Sequence, residues 1–86
     1  MWVEWKESAL DELADIYVAA DPADRDEIER TVEQINAALA ANPQFLGESR
    51  ATPNQRAWLS DPLTVTFQII PADGTVIVHH VAHRRP

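Results

Sequence analysis

The 86-residue chain contains no cysteine, only two glycines and a single lysine. Without cysteine it has neither disulfide bonds nor thiolate metal sites, so its own core must hold the fold together. The 45% of hydrophobic residues are enough for one core, and the length allows one domain over residues 1–86. The absence of cysteine also fits a reducing cytoplasm, where we expect the protein to be located.

Long hydrophobic runs are also missing. No stretch approaches the roughly 18 apolar residues that a membrane span requires. The first residues, "MWVEWKES", lack the basic segment followed by an apolar run of about 7 to 15 residues that marks a signal peptide. We therefore expect a soluble, unprocessed protein without a membrane partner.

Basic residues are scarce and unevenly placed. The chain has seven Lys and Arg residues and fourteen Asp and Glu residues, which gives a net charge of −7. Residues 1–43 carry a net charge of −8, whereas residues 44–86 carry +1 and all three histidines. Overall acidity argues against a nucleic acid partner. However, charges about 20 Å apart in water interact by only about 0.2 kcal/mol, so distant acids leave a local phosphate site possible.

Two helices are predicted in the acidic half. Ser8 and Asp11 form an S-x-x-D pattern that can cap a helix, and apolar residues then recur every three or four positions to about residue 20. Asp21 and Pro22 suit the N-cap and first turn of a second helix, which "ANP" ends near residue 42.

Strands are predicted elsewhere, because the hydrophobic period changes to two. Residues 63–70 alternate as a half-buried strand, and "PADG" at 71–74 turns the chain back into residues 75–83. Residues 56–60 and the aromatic "WVEW" at 2–5 are further candidates. The order predicts an α+β fold, β-α-α-β-β-β, with an antiparallel-type sheet and a helical hairpin packed on one face.

This arrangement predicts one core shared by the helices and the sheet, because only that assignment buries both periodic patterns. The tryptophans are expected in the core or at its edge. The predicted core residues are Leu10, Leu13, Tyr17, Ile28, Val32, Ile35, Leu39, Leu63, Val65, Phe67 and Ile69, and the tryptophans are Trp2, Trp5 and Trp58.

All three histidines lie in the last strand. On a regular strand His79 and His80 point to opposite faces, so one of them would face the helices, and the valine pattern leaves open which one. His79 and His83 would share a face about 13 Å apart, too far to bind one zinc ion at about 2.1 Å. We therefore expect neither a metal nor another cofactor.

Four features together indicate a resemblance to a known family. They are the order of elements, "GESR" at 47–50, "PLTVTFQI" at 62–69 and "VIVHHVAHRR" at 76–85. The chain resembles the RelE/ParE superfamily of toxins from bacterial type II toxin–antitoxin modules over nearly its whole length. The resemblance implies a RelE-like fold and a toxin similar to ribosome-dependent mRNA endonucleases. Such enzymes cleave RNA without a metal, using a base for the 2′-hydroxyl, cations for the phosphorane and an acid for the 5′-oxygen.

The resemblance also implies which residues would act. Arg84 matches a phosphate-binding arginine at the end of the last strand, with His83 beside it, and Arg56 falls near the family's basic strand positions. Arginine supplies a fixed charge and a planar fork matched to phosphate. These three are the expected catalytic residues. The expected substrate-binding residues are Arg50, Arg85, His79 and His80, although Arg50 also suits structural pairing with helical acids or Glu48.

One departure keeps enzyme activity open. Many nuclease members have an arginine three residues before the aromatic of the penultimate strand; with Phe67 as that aromatic, the position is Thr64. Two alternatives follow. The chain could be a non-nuclease relative similar to gyrase-inhibiting ParE-like toxins, or a degenerate member that retains only protein binding.

The resemblance implies a cognate antitoxin as partner, bound by a helix in a groove or by strand addition. The acidic helices predict Lys and Arg at the rim of that segment. The ribosome and mRNA are further expected partners of a nuclease. The assembly is open between a homodimer and a toxin–antitoxin hetero-oligomer.

Overall fold

The computed structural model describes residues 1–52 and 54–84 and confirms the predicted α+β class. The predicted helices and strands are all present, close to their predicted bounds. In chain order the elements are β1 (Trp2–Trp5), α1 (Glu7–Ala19), α2 (Pro22–Ala41), β2 (Glu48–Ser49), β3 (Gln55–Ser60), β4 (Leu63–Ile70) and β5 (Thr75–His83), with short 3₁₀ turns at Pro43–Phe45 and Pro71–Asp73.

The five strands form one sheet in the order β1-β5-β4-β3-β2. β1 runs parallel to β5, while every other neighbouring pair is antiparallel. The sheet is therefore mixed, and the antiparallel-type expectation was wrong for this one pair. A parallel pair needs a long crossover, and here the two helices and three strands between β1 and β5 supply it. The two-residue β2 is too short to leave a periodic pattern in the sequence.

The helix ends differ from the predicted caps. α1 begins one residue before Ser8, and its N-cap is Lys6, with no capping bond from a side chain, so the predicted Ser8 cap was wrong. Asp21 is the N-cap of α2 and Pro22 lies in its first turn, as predicted, but the Asp21 side chain makes no capping bond. Arg25 instead covers the C-terminal end of α1, because its guanidinium donates to the Tyr17 carbonyl at 3.0 Å.

The core lies between the helices and one face of the sheet. The apolar residues of β4 and the inner positions of α2 are buried as predicted, and Trp5 and Trp58 pack at the core edge. Leu10 and Trp2 are 50% and 68% exposed, so their predicted places in or near the core were wrong. The buried apolar residues are Ala9, Ile28, Ile35, Leu39, Leu63, Val65, Phe67, Ile69, Val76, Val78 and Val81.

A bulge in β5 decides the orientation of the histidines. Phe67 pairs with Val78 while the preceding Thr66 pairs with His80, so His79 is an extra residue without an opposite partner on β4. Val78 and Val81 are both buried despite their odd separation. The regular-strand expectation was therefore wrong, because neither His79 nor His80 is buried in the core.

Candidate functional site on the open face of the sheet

The sheet has one face away from the helices, here called the open face. Alternate residues of β4 point there, because the residues between them are buried. In β1, Val3 and Trp5 pack against the core, so the other residues of that strand lie on the open face. The strand residues on the open face include Trp2, Glu4, Gln55, Ala57, Leu59, Thr64, Thr66, Gln68, Ile70, Thr75, Ile77, the bulged His79, His80 and Ala82.

A depression of about 270 Å³ lies on the open face where β4, β5 and the start of β3 meet. Arg50, which follows β2, reaches it because its backbone N–H donates to the Gln55 carbonyl at 2.6 Å. Gln55 pairs across the sheet with Gln68, and the Gln68 side chain contacts His79. The fold therefore brings together Arg50, His79 and His80, three of the predicted substrate-binding residues, around two amide side chains.

His79 has the chemistry of a neutral base. Its Nε2 lies 3.1 Å from the Gln68 amide oxygen, and in the tautomer that donates from Nε2 to this oxygen, Nδ1 keeps a lone pair. Burial lowers the pKa of His79, and electrostatic interaction with Lys6 and then with His80 lowers this pKa further. His79 is therefore neutral around pH 7 and able to accept a proton there.

Lys6, like Gln55 and Gln68 in the depression, was not predicted to belong to the site. It follows β1, where alternation places it on the side of Trp2 and Glu4, and its backbone N–H donates to the Val78 carbonyl at 2.9 Å. Its charge acts directly on the neighbouring His79. The alternation in "WVEWK" predicts which face Lys6 occupies. It does not predict that Lys6 lies near His79, because this depends on the parallel pairing of β1 with β5, which are far apart in the sequence.

His80 is tied to helix α1. Its Nδ1 lies 3.3 Å from Glu12 Oε1, and the same oxygen accepts the Val81 backbone N–H at 3.3 Å. β1 is the neighbouring strand of β5 only as far as Val78. Beyond that point, Glu12 occupies the edge of β5 by accepting the Val81 N–H. His80 lines the depression from a fixed position at its edge.

Arg56 lies on the side of the sheet that faces the helices, opposite the depression. It pairs with the buried Phe67, and its guanidinium donates to the carbonyls of Leu46 and Gly47 at 2.6 and 3.0 Å and to Ser49 Oγ at 3.0 Å. These bonds hold the segment that leads directly into Arg50.

His83 and Arg84 lie at the other end of the sheet. His83 pairs with Leu63, four residues along β4 from the partner of Arg56, which corresponds to about 13 Å. The three predicted catalytic residues are therefore not brought together. Arg85, the remaining predicted substrate-binding residue, lies outside the described residues.

The surroundings of Arg84 are acidic. Its Nη1 lies 3.6 Å from Asp61 Oδ1, and with His83 it lines a depression of about 400 Å³ to which Asp24, Glu27 and Asp61 also contribute. His83 Nδ1 is buried and makes no hydrogen bond within the described part of the chain. Such a set of carboxylates repels phosphate, unlike the depression on the open face.

The protein resembles known proteins in structure but not in sequence. By sequence, the chain matches no protein-family model and no curated protein. By structure, it is similar to a chain of the chromosomal ParDE toxin–antitoxin system from P. aeruginosa, with a TM-score of 0.75 over 99% of this chain and 97% of that chain, at 20% identity. The chain has the RelE/ParE toxin fold.

Two further structures share this RelE/ParE fold. A chain of a RelBE toxin–antitoxin complex from Mycobacterium tuberculosis gives a TM-score of 0.72 at 18% identity, covering 96% of this chain and 90% of that chain. The isolated E. coli RelE toxin gives 0.64 at 16% identity, covering 99% and 85%. The predicted recognition of this fold is confirmed.

Within residues 1–52 and 54–84, no group of three His, Asp or Glu side chains is arranged to hold a metal ion. Among the same residues, no helix is long and apolar enough to cross a bilayer.

The depressed pKa of His79 predicts a loss of stability in acid. As the pH is lowered below about 6.5, the unfolded chain binds a proton at residue 79 more readily than the folded chain does. The free energy of unfolding therefore decreases as the pH is lowered. We expect His79→Gln to lose less stability than the parent between about pH 7.5 and 5.5, measured by urea unfolding. Equal losses in the two proteins, or an NMR titration of the His79 ring with its midpoint above about 6.5, would contradict this.

Proposed function

We propose that this chain is the toxin of a type II toxin–antitoxin pair and that it cleaves RNA without a metal at the open face. The observation that carries the nuclease proposal is that Arg50 and His79 line one depression on the open face, where burial and the nearby Lys6 lower the pKa of His79. A neutral imidazole and permanent cations are the groups that transesterification at a 2′-hydroxyl requires. The RelE/ParE fold supports the toxin role.

The proposed reaction uses each of the three residues. His79 Nδ1 accepts the proton of the 2′-hydroxyl, whose oxygen then attacks the adjacent phosphorus. Arg50 and Lys6 stabilise the negative charge that gathers on the phosphorane oxygens. The bond to the 5′-oxygen then breaks, and that oxygen takes a proton from water. The products are a 2′,3′-cyclic phosphate and a free 5′-hydroxyl.

The acidity of the protein is compatible with this site. Nine of the fourteen acids lie on α1 and α2, on the other side of the sheet. On and beside the open face, Glu4 and Glu48 are balanced by Lys6 and Arg50. The net charge still opposes long-range attraction to RNA, so we propose that the ribosome presents the message.

A gyrase-inhibiting toxin is the second candidate, because the fold is shared with ParDE as well as RelBE chains. Induction in growing bacteria separates the two. We expect growth arrest with new 5′ ends inside translated messages, detected by toeprinting. DNA breaks with intact messages would support gyrase inhibition instead, and undisturbed growth would refute the toxin proposal.

The helical hairpin offers a surface for the antitoxin. A depression of about 560 Å³ between α1 and α2 is lined mainly by apolar residues, including the exposed Leu10 and Val18. Glu29 and Glu33 lie at its rim, and Tyr17 donates to Glu29 Oε1 at 2.9 Å. We propose that the antitoxin places an apolar helix here with Lys or Arg beside the two glutamates.

Salt is therefore expected to weaken antitoxin binding. Between about 50 and 500 mM salt the affinity should fall, because exposed charge pairs are screened. Glu33→Gln should reduce this salt dependence, while the exposed Asp73→Asn at the β4–β5 turn serves as the charge-matched control. Isothermal titration with the antitoxin encoded beside the gene, at several salt concentrations, measures how the affinity of the parent and of each variant depends on salt. An affinity independent of salt would contradict the proposed rim.

A further inference from the structure

Trp2 is exposed on the open face. The side chain is 68% exposed, although tryptophan has a large apolar surface that proteins usually cover. Val3 and Trp5 on the same strand pack against the core, which directs Trp2 to the side of the sheet that carries His79 and Arg50. The ring is thus available to a ligand bound on the open face.

The ring is also held in place. Its Nε1 donates to Glu4 Oε1 at 3.2 Å, and the Trp2 backbone N–H donates to the Gly74 carbonyl at 2.9 Å. Pairing with Thr75 fixes the strand in register beside β5. A flat aromatic surface that is already oriented loses little further freedom when a ligand stacks on it.

The platform lies near the depression. Trp2 pairs with Thr75, which pairs with Ile70 on β4, and Gln68 lies two residues further along β4. Strand spacings of about 4.8 Å and a rise of about 3.3 Å place the Cα atoms of Trp2 and Gln68 about 12 Å apart. A short single strand that reaches His79 beside Gln68 can therefore extend to Trp2.

The charge at this end favours a base over a phosphate. Glu4 lies next to the indole and repels phosphate, while its carboxylate accepts hydrogen bonds from the amino and imino groups of bases. The partly buried Ile77, opposite Glu4, and Ile70 extend the apolar surface beside Trp2. Aromatic rings that take successive bases, next to cations that take the backbone, are the usual means of binding single strands.

We propose that Trp2 is a stacking platform for a base of single-stranded RNA whose phosphate lies at the depression of Arg50 and His79. This inference rests on the proposed function, since it needs RNA on the open face. It adds a binding residue at the edge strand β1, away from the reacting atoms. Trp2 therefore affects how tightly RNA binds and not the proton transfer.

The test measures binding of a short single-stranded oligonucleotide with 2′-O-methyl groups, which cannot be cleaved. We expect Trp2→Ala to weaken binding about tenfold and Trp2→Phe to keep most of the affinity, because both aromatic rings stack. Phe45→Ala is the matched control, since Phe45 is 77% exposed in the turn after α2 and should not change binding. RNA should quench the tryptophan fluorescence of the parent, and this quenching should be lost in Trp2→Phe.

The outcomes separate this inference from the proposed function. If Arg50→Ala weakens binding and Trp2→Ala does not, RNA binds the open face but the platform is refuted. If the parent binds no RNA in the assay or on translating ribosomes, the proposed nuclease function fails as well. If Trp2→Ala changes only the oligomeric state on a sizing column, Trp2 is a contact between copies and the inference is overturned.

Discussion

Arg50→Ala is expected to lower the rate of RNA cleavage on the order of 10²- to 10³-fold, the usual cost of removing one donor from a preorganised site. Among the described residues that line the depression, Arg50 is the one Arg or Lys, whereas Lys6, the second cation of the proposed reaction, lies outside this lining and does not take the place of Arg50. Its side chain is exposed and its backbone N–H bond to Gln55 does not depend on the guanidinium. Stability should therefore change little while activity is lost.

The control for this variant is Arg30→Ala. Arg30 is also an exposed arginine, but it lies on α2, on the other side of the sheet. Arg30→Ala removes the same charge from the protein as Arg50→Ala does. It should leave the rate of cleavage within about twofold of the parent, because distant charges are screened. Equal losses in the two variants would mean that net charge, and not the local site, governs activity.

Gly47→Ala is expected to cause the largest loss of stability among single substitutions in the segment before Arg50. Gly47 has φ +64°, and a Cβ there would overlap the Ala57 carbonyl oxygen and lie 2.9 Å from the Trp58 Cα. Both neighbours are backbone of β3, so the β2 segment would have to move away. We expect the free energy of unfolding to fall by about 4 kcal/mol, a large value for one residue.

Gly74→Ala provides the matched control. Gly74 has nearly the same backbone conformation, φ +61°, but a Cβ there meets nothing within 4 Å. It should cost only about 1 kcal/mol, which is the left-handed backbone penalty alone. Urea unfolding of the two variants separates the close approach from the backbone penalty. Similar losses in both would contradict the tight packing of Gly47 on β3.

Much of this fold was predictable from local periodicity. Residues 63–70 alternate without a break, and every second residue is buried as the pattern requires. Pro22 and "PADG" punctuate the chain where the second helix starts and β4 turns back. Leu10 follows the helical period but is 50% exposed, because it lines the depression between α1 and α2 and the period does not show which positions the second helix covers.

The candidate site was less predictable, because it depends on pairing between distant strands. The bulge at His79 exists only relative to β4: the change of parity from Val78 to Val81 left the orientation of the histidines open, and only the pairing with β4 locates the extra residue. Lys6 becomes a neighbour of His79 through the parallel pairing of β1 with β5. Arg56 was predicted to be catalytic, and only the return of residues 46–49 alongside β3 shows its bonds to backbone carbonyls.

The most direct test compares Arg50→Ala with Arg84→Ala in the same toeprinting assay on translated messages. The two arginines lie in separate depressions, one beside His79 and the other beside Asp61. We predict that Arg50→Ala loses cleavage on the order of 10²-fold or more while Arg84→Ala stays close to the parent. Cleavage that is lost with Arg84→Ala and kept with Arg50→Ala would place the reaction at the end of β5 and contradict the open-face site.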